Sequence, residues 1–205
     1  MAAARRRGRD GAGSVWQELK GELKKQLAIL LGFVALIWLI EVVDLVIFNG
    51  ALDKLGIQPR TVVGLRGIPL APFLHGGFGH LAANTSALIV LGWLVMLRET
   101  WHFFLVGGIG TIVGGAGVWL IGASRSVHIG SSIVIFAFLG YLLLRGWFDR
   151  RWWVVAGSVA VGLLYGGALF GLLPGQPGVS WEGHLCGFLG GILAARLMRS
   201  KAAAA

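Results

Sequence analysis

The chain has 205 residues, of which 56% are hydrophobic and only 13% are charged, and its net charge is +9. Soluble globular domains contain about 25% charged residues, so this composition excludes an ordinary soluble domain and indicates a membrane protein. A positive net charge can also indicate a nucleic-acid partner, and the positions of the basic residues must decide between the two.

Six apolar segments predict an all-α polytopic membrane protein, because each is close to the roughly 20 residues that a spanning helix needs. They lie at about residues 27–48, 80–97, 103–121, 130–144, 152–173 and 183–198. We expect a six-helix membrane domain over residues 27–198. Residues 1–26 are expected to form a basic cytosolic tail with an amphipathic helix in the membrane interface. Residues 199–205 are expected to be a second cytosolic tail.

The basic residues are distributed unequally between the two sides of this arrangement. With the N-terminus inside, 14 of the 18 lysines and arginines fall on the cytosolic side, and the exceptions are Lys54, Arg60, Arg66 and Arg125. This asymmetry follows the positive-inside rule, so we expect a multi-pass protein of the cell membrane with both termini in the cytosol. The net charge then reflects topology and the lipid bilayer, and no nucleic-acid partner is expected.

Three polar residues inside apolar segments share one depth in the membrane. Asn84, Ser132 and His184 lie 14, 13 and 12 residues before the basic residues that end their segments. At the rise of an α-helix, this places all three about 18 to 21 Å from the cytosolic face of the bilayer core. Polar groups at such depth are costly unless they are satisfied, so each is a candidate functional residue.

The local sequence around each of these residues suggests chemistry. His80 lies one helical turn before Asn84 and shares its face. The segment that begins with Gly130 is too short to cross the membrane when it is counted to Arg145, so we expect Ser132 at the floor of a cavity open to the outside. Gly187 and Gly191 share a helix face with His184, which would let that helix approach the Ser132 helix closely.

These residue types suit acyl transfer. Serine is a weak nucleophile that needs a base within hydrogen-bonding reach, and His184 at equal depth can be that base. His80 and Asn84 would then donate hydrogen bonds to the oxyanion of a tetrahedral intermediate. Because no carboxylate is well placed as a third member, we interpret the pair as a Ser–His dyad. Neither a cofactor nor a metal ion is expected.

The sequence resembles the rhomboid family of intramembrane serine proteases over about residues 27–198. The family's pattern of two histidines and an asparagine is met by His75, His80 and Asn84. Its serine motif is matched in part by "GSSIVIFAFLGY", which begins at Gly130, and its last-span motif by the histidine with two glycines described above. The resemblance implies a nucleophile at Ser132, a general base and acid at His184, and transmembrane proteins as substrates.

Two positions depart from the family pattern. Ile133 stands where glycine is usual, and Phe136 replaces a tyrosine but lies on the same face as Ser132 and can still stack on His184. We expect Gly183 to leave room for the isoleucine. The sequence leaves two alternatives open: a rhomboid-like protein that binds transmembrane clients without cleaving them, and a purely structural polar network. His75 could equally be structural. His128 could contact the cavity, but we expect it to be a solvated loop residue.

Overall fold

The computed structural model describes the backbone of residues 2–199 and the side chains of residues 15–199. Within this part of the chain the regular elements are helices, joined by turns and one isolated bridge between Ile57 and His128. The α-helices are α1 (Ala2–Val43), α2 (Gly67–Leu70), α3 (Phe78–Met96), α4 (His102–Ile121), α5 (Ser132–Asp149), α6 (Trp152–Tyr165) and α7 (Trp181–Leu197).

The chain is an all-helical membrane protein, as the composition predicts. Each of the six predicted segments overlaps one of the long helices, although the bounds differ. In the described residues, five helical segments are long and apolar enough to cross a membrane. The sixth predicted segment corresponds to α7, which has only 17 residues. The helical bundle is therefore confirmed, whereas the number of crossings stays a prediction.

The N-terminal helix is longer than a single membrane span. α1 continues from Ala2 to Val43 without a break at residue 26, and a π-helical turn extends it to Phe48. The predicted interfacial helix and the predicted first span are thus parts of one helix. Where this helix meets the membrane surface stays a prediction, and residues 200–205 of the predicted C-terminal tail lie outside the described residues.

Helix α5 forms the centre of the bundle. It is apolar on nearly all sides, and 72% of its residues are buried, as expected for a helix enclosed by others. It packs against α3, α4, α6 and α7. The segment Trp152–Leu172, which contains α6, is the opposite case. Only 6% of the residues in its most apolar stretch are buried, so most of its surface faces lipid.

Glycines bring α7 into backbone contact with α5. A Cβ atom at Gly187 would lie 2.5 Å from the carbonyl oxygen of Ile133, and one at Gly191 would overlap the carbonyl oxygen of Ala137. Small residues permit this approach, and helix association in lipid depends on such packing. The predicted pairing of the glycine face with the Ser132 helix is confirmed, and this pairing fixes the position of His184.

The start of α3 is held by the first helix. Gly77 has a positive φ of 111°, a conformation that favours glycine, and its backbone N–H donates to Oε1 of Glu41 at 2.8 Å. Two turns into α3, Thr85 Oγ1 accepts a hydrogen bond from Trp38 Nε1 at 3.0 Å. These two contacts set the position of the helix that carries His80 and Asn84.

Candidate active site

A cavity of about 670 Å³ brings together the four residues predicted to do the chemistry. Its lining includes His80 and Asn84 from α3, Ser132 from the start of α5, and His184 from the first turn of α7. Residues 127–129, which precede α5, form part of the wall, as the sequence predicts for this loop. Asn84, Ser132 and His184, for which the sequence predicts one common depth in the membrane, thus line the same cavity.

Ser132 is the first residue of α5 and is 8% exposed. A backbone N–H at this position has no partner within its own helix and can donate to another group. The helix continues to Asp149, one turn beyond the predicted end at residue 144, and measures about 27 Å. The helix is therefore longer than the sequence predicts, because it does not end at Arg145.

The ring of His184 is held by two contacts. Its Nδ1 lies 3.0 Å from the carbonyl oxygen of Gly171, and its face stacks on Phe136 with a centroid distance of 4.0 Å and an interplanar angle of 14°. The predicted stacking on Phe136 is confirmed. Because a carbonyl oxygen only accepts hydrogen bonds, Nδ1 must carry the proton, which leaves the lone pair of a neutral ring on Nε2.

Ser132 and His184 line the same cavity without a direct hydrogen bond in the described structure. Catalytic hydrogen bonds are often long or poorly aligned before substrate binds, and they shorten in the substrate complex. The close packing of α7 on α5 keeps the two residues on facing helices.

Polar donors surround Gly130, two residues before Ser132. This glycine has φ of 113°, and a Cβ there would lie 2.8 Å from His80 Nε2 and 3.4 Å from Asn84 Nδ2. Asn84 is only 7% exposed, and among the described residues its Nδ2 has no hydrogen-bond partner. Leaving a buried donor unpaired costs free energy. A donation from Asn84 Nδ2 to a negative charge that develops during a reaction would explain why this cost is tolerated.

His75 holds the backbone just before the proposed nucleophile. Its Nε2 accepts from the backbone N–H of Ser131 at 3.3 Å and lies 3.2 Å from Ser131 Oγ. Its ring is 5.2 Å from that of His80, edge to face. Burial, together with the nearby His80, lowers the pKa of His75 to about 4, so the ring is neutral at physiological pH. The structure favours a supporting position for His75.

His128 is buried, which contradicts its expected place in a solvated loop. Its Nδ1 lies 2.6 Å from Ser180 Oγ and its Nε2 lies 2.7 Å from Ser126 Oγ. Ser180 is the N-cap of α7 and accepts from the backbone N–H of Gly183. Burial lowers the pKa of His128. The residue thereby links the loop before Ser132 to the start of the helix that carries His184.

Two smaller residues accommodate Ile133. A Cβ at Gly183 would lie 3.2 Å from Ile133 Cγ1, and one at Gly114 would overlap Ile133 Cγ2. The isoleucine is only 2% exposed and fills the space between α4 and α7. The expectation that Gly183 leaves room is confirmed, and Gly114 on α4 is a second contributor that was not predicted.

Comparison with known proteins is consistent with this geometry. The model of a family described as "Rhomboid domain" matches residues 65–201. The chain is 43% identical to an uncharacterised protein of Mycobacterium tuberculosis over 82% of this chain and 73% of that protein. It is 42% identical to an uncharacterised protein of Mycobacterium leprae over 82% and 70%, respectively. It is also 34% identical to "Rhomboid-like protease 5" of Toxoplasma gondii, over 70% of this chain but 17% of that longer protein.

Proposed function

This chain belongs to the rhomboid family, and we propose that it is an intramembrane serine endopeptidase that cleaves single-pass transmembrane substrates near the outer membrane face through Ser132 and His184. The observation that carries the proposal is the hydrogen bond between His184 Nδ1 and the carbonyl oxygen of Gly171. It leaves Nε2 as a base in the same cavity as the serine hydroxyl. In this site a backbone carbonyl would take the orienting role that a carboxylate takes in a triad.

The chemistry proceeds in two halves. Ser132 Oγ attacks the scissile carbonyl carbon while His184 Nε2 accepts the hydroxyl proton, and the tetrahedral intermediate collapses as Nε2 returns this proton to the leaving amine. Water then attacks the acyl-enzyme, its proton again passing to Nε2 and from there to Ser132 Oγ. The products are a carboxylic acid and an amine, and the enzyme is restored.

The oxyanion of each intermediate would form next to Gly130. Asn84 Nδ2, His80 Nε2 and the backbone N–H of Ser132 are the donors that we assign to it. Donors that are already in place when charge develops lower the barrier without reorganisation. The backbone N–H of Ser131 is already bound to His75, so it is left out of this assignment.

The position of the cavity suits a substrate helix that approaches from the lipid. Ala87 of α3 and Ala168 of the 3₁₀ segment Gly166–Leu172 both line it. α3 and α6 pack mainly on α5 rather than on each other, so we infer that a substrate helix enters between them. A single-pass substrate that unwinds between these two helices could present an extended peptide to Ser132.

The alternative is a rhomboid-like protein that binds clients without cleaving them, and Ile133 is the residue that suggests it. Overpacking by an additional side chain would disturb the helix that begins at Ser132. Gly114 and Gly183 weaken that argument, since the isoleucine occupies space that a side chain at either glycine would otherwise fill. The packing therefore supports the protease over the binding protein.

The test is cleavage in a defined membrane. Purified protein is reconstituted into liposomes with a set of tagged single-pass transmembrane proteins, and the products are mapped by mass spectrometry. We expect cuts within or next to the substrate's transmembrane segment, and none with Ser132→Ala protein. Client binding without any cut across the set would favour the alternative function.

A bulky residue at position 171 should impair the base. A Cβ there would lie 3.1 Å from Phe136 Cζ and 3.2 Å from His184 Nδ1, so Gly171→Val should displace the ring. We expect turnover to fall by about tenfold or more, because a misplacement near 1 Å can cost about 100-fold. The matched control is Gly167→Val in the same 3₁₀ segment, where a Cβ meets none of the described residues within 4 Å. Equal turnover of the two variants would refute the orienting role of the carbonyl.

The proposed orientation predicts which loops are accessible from outside. In a Cys186→Ser background, a cysteine that replaces the exposed Lys54 should react with an impermeant thiol reagent added to intact cells. A cysteine that replaces the exposed Glu99, between α3 and α4, should react only after the cells are broken. The reverse pattern would place the Ser132 cavity on the cytosolic side.

A further inference from the structure

A second cavity, of about 420 Å³, lies between α3, α5 and α6 at the opposite end of α5 from Ser132. Four charged residues line one part of it: Arg98, Arg145, Asp149 and Arg151. Most of the remaining wall is apolar and comes from Leu94, Leu97, Leu142, Trp153, Val154 and Val161. The cavity is thus divided into a charged part and an apolar part, and the proposed protease mechanism uses neither.

The charged part carries an excess of positive charge. Arg98 Nη1 lies 3.0 Å and Arg145 Nε lies 3.3 Å from the same oxygen, Oδ2 of Asp149. With Arg151 in the same wall, the residues that line the cavity are three arginines and one aspartate, a net charge of +2. The side chains of Arg98 and Arg145 are only 28% and 15% exposed, so water hydrates them poorly. One carboxylate shared between two poorly hydrated guanidinium groups leaves positive charge in the lining that an anion would balance.

Aromatic rings hold two of the guanidinium groups in place. Arg145 lies over the ring of Tyr141 at 5.7 Å, and Arg151 lies over the ring of Trp153 at 5.6 Å. A planar guanidinium that is fixed in this way can donate two hydrogen bonds to a phosphate with little loss of side-chain entropy. The geometry therefore suits a phosphate better than a halide or another spherical anion.

The surroundings of the cavity match the membrane interface. Trp153 lines the cavity, and Trp147 and Trp152 lie close to it in the chain; all three are more than half exposed, as is typical of aromatic residues at the level of lipid headgroups. α3 and α6 both pack on α5 with little contact between them, and the cavity lies between these three helices. A ligand that enters from lipid would have a polar headgroup beside an acyl chain.

We propose that this cavity binds an anionic phospholipid, with the headgroup phosphate on Arg98, Arg145 and Arg151 and an acyl chain along the apolar wall. The ligand is a lipid rather than free phosphate because the apolar wall would contact an acyl chain, which a soluble ion lacks. Basic pockets between membrane helices are known to bind such headgroups. The proposal is independent of the protease activity.

The test is lipid retention by the intact protein. Protein taken from bilayers of equal phosphatidylglycerol and phosphatidylcholine is examined by native mass spectrometry, and we expect one phosphatidylglycerol to be retained preferentially. Arg151→Gln should lower this retention by about fivefold, the effect of one cation near the surface. Arg196→Gln is the matched control, since it removes an exposed cation on α7 that does not line the cavity. Arg145→Gln serves as a second variant should Arg151→Gln fold poorly.

Several outcomes would overturn the proposal. Equal retention of the two lipids would exclude a preference for anionic headgroups. Equal losses in Arg151→Gln, Arg145→Gln and Arg196→Gln would show a general effect of surface charge. Displacement of the lipid by millimolar inorganic phosphate would indicate a site for a free anion. Unchanged retention in the presence of phosphate, with a loss confined to the cavity variants, is the expected result.

Discussion

Ser132→Ala and His184→Ala are each expected to reduce cleavage of a transmembrane substrate by about 10⁴-fold or more, and the double variant should be no worse than either single variant. The reason is that nucleophile and base act as one unit, so that removing either removes the same step. Initial rates in liposomes measure the effect, with thermal unfolding of each variant as a check on folding.

The control for this experiment is Ser86→Ala, which removes an exposed hydroxyl on α3 outside the cavity. It should cleave at the rate of the unchanged protein. If the fold losses of the two single variants multiplied in the double variant, Ser132 and His184 would contribute independently. Substantial cleavage by purified Ser132→Ala protein would exclude this serine as the nucleophile.

Asn84→Ala should lower kcat by about 10 to 1,000-fold while KM and thermal stability change little. Asn84 Nδ2 has no partner among the described residues, so its removal breaks no hydrogen bond there and affects only a charge that appears during the reaction. His80→Ala should act in the same direction, because His80 Nε2 approaches Gly130 from the same side.

The division between kcat and KM separates the two roles that Asn84 could have. A donor to the oxyanion acts in the transition state and lowers kcat, whereas a structural polar group would change stability or substrate binding. Normal turnover in both Asn84→Ala and His80→Ala would leave the polar cluster of α3 as a structural network, which is the reading that the sequence alone could not exclude.

The co-location of Asn84, Ser132 and His184 could be predicted because helix rise is fixed. Counting residues from each basic flank gives depth without any knowledge of packing. Glycine spacing then predicted which helix faces would meet, and the contacts of Gly187 and Gly191 with α5 confirm it. The chemical roles of these residues stay predictions, since they concern a reaction rather than a position.

Other features could not be read from the sequence, for physical reasons. The hydrogen bond from His184 goes to a backbone carbonyl, and every residue has one, so no residue type marked Gly171. The burial of His128 depends on Ser180, which lies 52 positions away in the chain. The extra turn of α5 was missed because Arg145 looked like the polar end of a span, whereas its pairing with Asp149 lets the helix continue.

The most direct test of the central claim is labelling of the wild-type protein in detergent or liposomes with a fluorophosphonate, which reacts with activated serine hydroxyls. We predict one covalent adduct, mapped by mass spectrometry to Ser132 and lost in His184→Ala protein, because the hydroxyl needs the base. An unlabelled wild-type protein, or an adduct on another residue, would contradict the assignment of Ser132 and His184 as a catalytic dyad.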